Sequence, residues 1–229
     1  MEPAVVLLSG GLDSSTLLHY VRRRLGRERV YALSFDYGQK HARELQAARW
    51  QAAAAGAAEH RVVDAAWFGA LIGGASALVG GGAEPPALEA LSAAQRRQPP
   101  TYVPNRNMVL LAVAAAYAEA RGAAEVFYGA QAQDEYGYWD CTVDFVRRMN
   151  DLLALNRVRP VALRAPFVGW RKAEVLRLGL ELGVDFGQTW TCYRGGERPC
   201  GRCPSCVERA GAFRECGARD PLGEAKPRE

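Results

Sequence analysis

Apolar and polar positions along the chain follow two alternating rhythms. Short runs rich in β-branched, aliphatic and aromatic residues read as strands: Val5-Val6-Leu7-Leu8, Val30-Tyr31-Ala32-Leu33-Ser34-Phe35, Arg61-Val62-Val63-Asp64, Glu125-Val126-Phe127-Tyr128-Gly129-Ala130 and Val161-Ala162-Leu163. Between them lie stretches with helical spacing. Leu17, Leu18, Val21 and Leu25 share one face, and further helices are predicted over 42–55, 108–121, 142–155 and 170–182. Strand–helix alternation predicts an α/β fold with a doubly wound, mainly parallel sheet. Trp67, Phe68 and Leu71 are expected to pack on its core. The segment from Gly73 to Pro100 breaks the rhythm: Gly73-Gly74, Gly80-Gly81-Gly82, Pro85-Pro86 and Pro99-Pro100 bracket little periodicity, so it reads as a long mobile loop or lid, or as disorder without function.

At 229 residues the chain suits one α/β unit with an appendage, divided as residues 1–187 and 188–229. A net charge of +4 is compatible with a small anionic ligand and gives no case for a nucleic-acid surface. The positive charge is almost all arginine, with lysine only at Lys40, Lys172 and Lys226. No stretch approaches the ~18 consecutive apolar residues of a membrane span, and no signal core opens the chain, so a cytoplasmic protein is expected.

The first strand runs into Ser9-Gly10-Gly11-Leu12-Asp13-Ser14, and this changes the picture from fold to chemistry. Glycines expose backbone N–H groups, the serines add hydroxyl donors, and the following helix directs its N-terminal amides at the loop, which together can cradle phosphate. The Lys-Ser/Thr ending of a Walker loop is missing. A carboxylate at Asp13 would repel phosphate unless it holds a bridging divalent cation, which points to Mg²⁺-ATP. The competing reading is a plain turn with Asp13 as a helix cap; the flanking strand and helix favour the phosphate site, with Leu8, Ser9, Gly10, Gly11, Leu12, Asp13, Ser14, Ser15, Thr16, Leu17 and Leu18 as its nucleotide-binding stretch.

Further candidates fall where strands deliver loops to the same sheet edge. Asp36, Tyr37 and Gln39 follow the second strand, and Asp134, Glu135, Tyr136, Tyr138, Trp139 and Asp140 follow the fourth. The latter can stack on a planar, purine-like base and accept its N–H groups, or form a packed aromatic turn. Arg106 opens a helix, where it can grip a carboxylate or phosphate or simply face solvent. Lys172 lies in the first turn of another helix, where its charge opposes the helix dipole unless an anion offsets it. Near the end, Cys192, Cys200, Cys203 and Cys206 have the spacing Cys-x7-Cys-x2-Cys-x2-Cys. Four thiolates fill a tetrahedral Zn²⁺ shell and leave no open position, so the site is structural; an iron–sulfur cluster fits the spacing less well. Cys141 and Cys216 fall outside the set, as ordinary thiols, with Cys141 kept as a weak candidate.

The opening loop resembles the pyrophosphate loop of the adenine-nucleotide α-hydrolases. With Phe35-Asp36-Tyr37-Gly38-Gln39, Tyr102-Val103-Pro104-Asn105-Arg106-Asn107, Lys172-Ala173-Glu174 and Thr191-Cys192-Tyr193 through Cys206 to Arg209, the chain resembles the 7-cyano-7-deazaguanine synthase (QueC) family over nearly its whole length. The resemblance implies an enzyme that converts 7-carboxy-7-deazaguanine and ammonia to the nitrile through adenylated acid and amide, in queuosine biosynthesis. It also implies structural zinc, ATP with Mg²⁺ and a homodimer. On this basis Asp13, Lys172 and Arg106 are the catalytic candidates, and Asp36, Tyr37, Gln39, Asp134 and Tyr138 the substrate-binding ones. The chain departs from the family pattern at Asn105, usually glycine, and at Glu135, Tyr136 and Trp139. Alternatives are a related deazapurine as substrate, a tRNA-thiolating enzyme with the same loop, and a noncatalytic zinc-ribbon adaptor that retains nucleotide binding.

Overall fold

Strand β1 (Ala4–Leu7) occupies the centre of a five-stranded sheet, flanked by β2 (Val30–Asp36) and β4 (Glu125–Phe127), with β3 (Glu59–Asp64) and β5 (Ala162–Arg164) at the edges. Every neighbouring pair is parallel. This computed structural model describes residues 2–40, 43–132 and 138–223, except the side chain of Arg97.

Parallel neighbours require crossovers, and helices on both faces supply them. Side chains alternate along the strands, so Val5, Tyr31, Leu33 and Phe35 join one core while Ala4, Val6, Val30 and Ala32 join the other. The first core is closed by α3 (Ala66–Ile72), α5 (Arg106–Ala120) and α6 (Val143–Leu153) through Phe68, Leu110, Ala114, Phe145 and Met149. The second is closed by α1 (Leu12–His19), α2 (Arg43–Ala54), α7 (Lys172–Glu181) and α8 (Pro204–Glu215). Because Phe213 and Ala212 of α8 sit in that core with Leu17, Leu18 and Phe186, the C-terminal segment shares its hydrophobic packing with the α/β unit.

The chain leaves β1 toward β2 and β3 on one side, then returns to build β4 and β5 on the other. The crevice at this reversal lies beyond the carboxyl ends of β1 and β4, the position where open α/β sheets bind ligands.

Three local expectations differ from the structure. Leu25 is 40 % exposed because α1 passes into a wide, π-type turn over Tyr20–Arg24, which rotates Leu25 away from the face carrying Val21. Only Phe68 of its trio is buried; Trp67 and Leu71 face solvent at 57 % and 77 % exposure, on the outer side of a two-turn helix. The Gly73 to Pro100 segment is laid down in turns, with a short helix α4 (Ala93–Arg97) and a buried stretch Ser76–Val79. Lys40 Nζ donates to the Gly82 and Ala83 carbonyls at 2.7 and 2.9 Å, the Leu88 amide donates to the Arg202 carbonyl at 2.9 Å, and Arg194 Nη2 donates to the Pro85 carbonyl at 3.0 Å. Tertiary hydrogen bonds and the core contacts of Leu78 and Val79, rather than a periodic apolar stripe, hold this segment, which is why periodicity does not reveal it.

Candidate active site

The loop between β1 and α1 is held by its own hydroxyls. Ser14 Oγ accepts from the Ser9 amide at 3.1 Å and lies 2.9 Å from Ser9 Oγ, which in turn accepts from the Gly11 amide at 3.2 Å. The Trp190 amide donates to the Gly10 carbonyl at 2.9 Å, so the cysteine-bearing segment braces the turn from outside. Gly10 has φ +83°, and a Cβ there would lie 2.6 Å from the Ala48 amide nitrogen and closer still to the Glu44 carbonyl of α2. Both the backbone conformation and the space therefore demand glycine. Gly10→Ala is expected to lower the melting temperature by about 5 °C or more through strain and displacement of α2, as a thermal unfolding scan will read.

A cavity of ≈ 260 Å³ opens directly above the loop. Its wall contains Ser9, Gly11, Asp13 and Ser14 from the loop, Tyr37 and Gln39 after β2, Arg106 on α5, Tyr138, and Lys172 at the start of α7. The nucleotide stretch and the candidate groups from four separate parts of the chain thus converge. Lys172 Nζ lies 3.2 Å from Asp13 Oδ2 and 3.0 Å from Glu208 Oε2. Burial works against the lysine charge, but Asp13 and then Glu208 more than offset it and hold its pKa above the ordinary value. The anion needed beside this helix N-terminus is therefore supplied by two carboxylates. Asp13 Oδ1 is buried and has no hydrogen-bond partner among the described residues, an unsatisfied acceptor beside the loop.

Arg106 occupies the first position of α5 and its Nη1 donates to Tyr37 Oη at 3.3 Å. Burial opposes its charge, yet Tyr37, Asp140 and Cys141 keep it firmly protonated. The preceding residue explains one departure from the family pattern. Asn105 has φ +52°, in the left-handed region where glycine is the usual residue and asparagine is tolerated, so the exchange preserves the turn that launches α5.

Other candidates are placed differently. Asp36 is exposed, does not line the cavity, and accepts from the Gly38 amide at 3.3 Å in its own turn. Gln39 lines the cavity, but its amide bridges the Tyr37 N–H and the Phe35 carbonyl at 2.8 and 2.9 Å. Tyr138 pairs with Thr101 Oγ1 at 2.8 Å, and burial pushes its phenol up to about 12. Asp134, Glu135 and Tyr136 lie outside the described residues. Leu17 and Leu18 are core residues of α1, and Ser15 and Thr16 are fully buried beside them. Trp139, 45 % exposed, donates from Nε1 to Tyr102 Oη at 3.0 Å.

Two acids of the cavity wall escaped the sequence reading. Glu208 sits on α8, and Glu44 sits in the first turn of α2, where burial pushes its carboxyl up to about 8 against the pull of Arg106. Each lies in an ordinary amphipathic helix, and no local signal distinguishes it from a solvated charge. Cys141 also lines the cavity, 3.5 Å from Asn107 Nδ2, but burial and then Asp140 push its thiol up to about 12. A thiol so rarely ionised is a poor nucleophile. Iodoacetamide at pH 8 is expected to leave Cys141 unmodified in the folded protein, as peptide mass mapping will show.

Cys192, Cys200, Cys203 and Cys206 place their Sγ atoms within 4.8 Å of one another. Sulfurs at about 2.3 Å from a tetrahedral centre lie roughly 3.8 Å apart, so the cluster is close to a closed coordination shell. The Cys200 amide donates to Cys192 Sγ and the Cys203 amide to Cys200 Sγ, each at 3.3 Å, and such bonds favour thiolates. Cys203 caps α8, Pro204 starts it, and Cys206 falls in its first turn. The four thiols can therefore hold a metal ion while fixing the start of that helix.

The chain is similar to known proteins along almost its whole length. The family model described as "Queuosine biosynthesis protein QueC" matches residues 3–217. A 7-cyano-7-deazaguanine synthase of Alteromonas mediterranea is 44 % identical over 222 residues, covering 96 % of this chain and 98 % of the relative. One from Archaeoglobus fulgidus is 46 % identical over 220 residues, covering 96 % and 89 %. Among solved structures, NMN synthetase from Francisella tularensis aligns with TM-score 0.49 and 16 % identity over 95 % of this chain and 78 % of that one. With relatives this similar along almost the whole sequence, and with the loop, the cleft and the four-thiol cluster all in place, the chain belongs to the QueC family.

Proposed function

We propose that this chain is an ATP-dependent carbon–nitrogen ligase that converts 7-carboxy-7-deazaguanine and ammonia to 7-cyano-7-deazaguanine. The observation that carries this reading is the convergence of the Ser9–Ser14 loop, Asp13, Lys172 and Arg106 on one cavity, in a chain of this family. A carboxylate oxygen is a poor leaving group, and capture of AMP converts it into a good one. The acid's oxygen attacks the α-phosphorus of ATP and pyrophosphate departs; ammonia then displaces AMP to give the amide. The amide oxygen attacks a second ATP in the same way, releasing pyrophosphate, and the adenylated amide then loses AMP and both of its N–H protons to give the nitrile.

In this scheme the loop amides and hydroxyls of Ser9, Gly11 and Ser14 bind the departing pyrophosphate. Lys172 and Arg106 are the cations within reach of charge that develops on the phosphoryl and carboxyl oxygens. The Asp13 carboxylate, whose Oδ1 has no hydrogen-bond partner among the described residues, would hold the Mg²⁺ that accompanies ATP, an ion that would neutralise phosphate charge. Tyr37 and Tyr138 are the cavity residues assigned to the deazaguanine, with Gln39 positioning Tyr37 through its amide; Asp36 supports this loop from outside, and Asp134 belongs to the same proposed subsite. Zn²⁺ is the metal assigned to the four cysteines, from the all-thiolate donor set and absence of an open position, and it serves structure. Residues 1–187 are taken as the ATP-binding unit and 188–229 as the zinc-binding segment, in a cytoplasmic homodimer acting on small molecules alone.

Incubation of purified protein with the carboxylated deazaguanine, ammonium and Mg-ATP, followed by mass spectrometry, tests the reading. Amide followed by nitrile, with two AMP per nitrile, is expected; formation of neither product contradicts it.

A further inference from the structure

Lys172 faces two carboxylates, and only one belongs to the phosphate loop. Its ammonium lies 3.0 Å from Glu208 Oε2 and 3.2 Å from Asp13 Oδ2, with the three side chains 13 %, 19 % and 22 % exposed. A lysine paired with Asp13 alone would neutralise it and compete for the oxygens that a divalent cation needs. Sharing the ammonium with Glu208 instead sets one positive charge against two carboxylates, a balance that favours a cation, and Asp13 Oδ1 has no hydrogen-bond partner among the described residues. We propose that Glu208 is a positioning residue: it holds Lys172 off full pairing with Asp13, so that Asp13 is available to the cation brought by ATP and the ammonium to the phosphate. The inference rests on the proposed nucleotide site.

The fold explains how a residue of the C-terminal segment reaches this place. Cys203 caps α8 and Cys206 lies in its first turn, so the cysteine cluster fixes where Glu208 projects. Farther along, Arg171 Nη2 pairs with Glu215 Oε1 at 2.8 Å, and the Cys216 thiol donates to the Ala173 carbonyl at 3.2 Å. These contacts tie α8 to the start of α7, which carries Lys172. The cysteine segment thus sets the position of a charge in the nucleotide cavity as well as bracing the loop through Trp190.

The test compares wild-type protein with Glu208→Gln and Glu208→Asp, measuring ATP affinity calorimetrically over a range of Mg²⁺ concentrations, with bound metal and melting temperature followed in parallel. In E208Q the Mg²⁺ concentration that half-saturates ATP binding is expected to rise about tenfold, the order by which a contacting charge shifts a neighbour's ionic equilibrium. KM for the carboxylic acid, metal content and melting temperature should stay at wild-type values, and E208D should recover most of the Mg²⁺ response. An unchanged Mg²⁺ dependence in E208Q overturns the inference and leaves the proposed function standing. Loss of bound metal or of thermal stability in both variants also overturns it, by making Glu208 a structural residue. Wild-type protein that binds no Mg-ATP overturns the proposed function and this inference together.

Discussion

Asp13→Ala is expected to reduce ATP cleavage by a factor of about 10³ while leaving the fold and the four-thiol metal intact. The side chain is not needed for folding: it makes no hydrogen bond within the loop, which is held by Ser9 and Ser14, and its only described partner is Lys172. Its removal takes away the carboxylate from the cavity wall and leaves the ammonium with Glu208 alone. On the proposed reading phosphate binding then loses its cation ligand, and the loop's dipoles confront an unneutralised triphosphate. AMP release measured with substrate present, beside metal content and melting temperature, separates this from unfolding. Turnover within threefold of wild type would remove Asp13 from the phosphate site.

Cys203→Ser is expected to cut bound metal to near zero and lower the melting temperature by about 10 °C or more. Cys203 is fully buried, caps α8, and lies among Trp190, Cys192 and Cys206 in a small core of its own. A serine leaves three thiols that no longer close a tetrahedron. The effect should spread beyond the cluster, because α8 carries Phe213 into the core beneath the sheet and Arg209 into a buried network. Arg209 bonds Asp220 through Nε and Nη2 at 2.7 and 2.8 Å, Thr189 Oγ1 at 2.7 Å and the Phe186 carbonyl at 2.9 Å. Nucleotide binding should weaken along with stability, since Trp190 braces Gly10 and Glu208 contacts Lys172. Full metal content in the variant would show that the ion does not depend on Cys203.

What the sequence discloses here is set by how local the chemistry is. The phosphate loop is contiguous, so Ser9, Gly10, Gly11 and Asp13 are readable side by side, and the three cysteines from Cys200 to Cys206 are equally compact. The central strands β1 and β2 are readable because they are buried on both faces and largely apolar, whereas the edge strand β3 opens with Glu59-His60-Arg61 and shows only its Val62-Val63 end. Groups that matter through distant partners are silent. Glu208 looks like any helix-surface acid until α8 is docked against α7, and Lys172 and Asp13 meet across 159 positions of chain. Asp36, the last residue of β2, is legible as a strand-end acid, but its exposure and its bond to the Gly38 amide are not. Trp67 and Leu71 show that apolar identity does not report which side of a short helix faces inward. Asn105 shows that a departure from family pattern can be conformational: its φ of +52° is the property that matters there.

If the opening loop holds ATP so that an oxygen of the acid captures AMP, that oxygen must leave in AMP. The most direct measurement is the fate of that oxygen. With both carboxylate oxygens of the deazaguanine substrate labelled as ¹⁸O, the account predicts one label in each of the two AMP molecules released per nitrile formed, and none in pyrophosphate. Unlabelled AMP, with the ¹⁸O recovered in water or in inorganic phosphate, would contradict it.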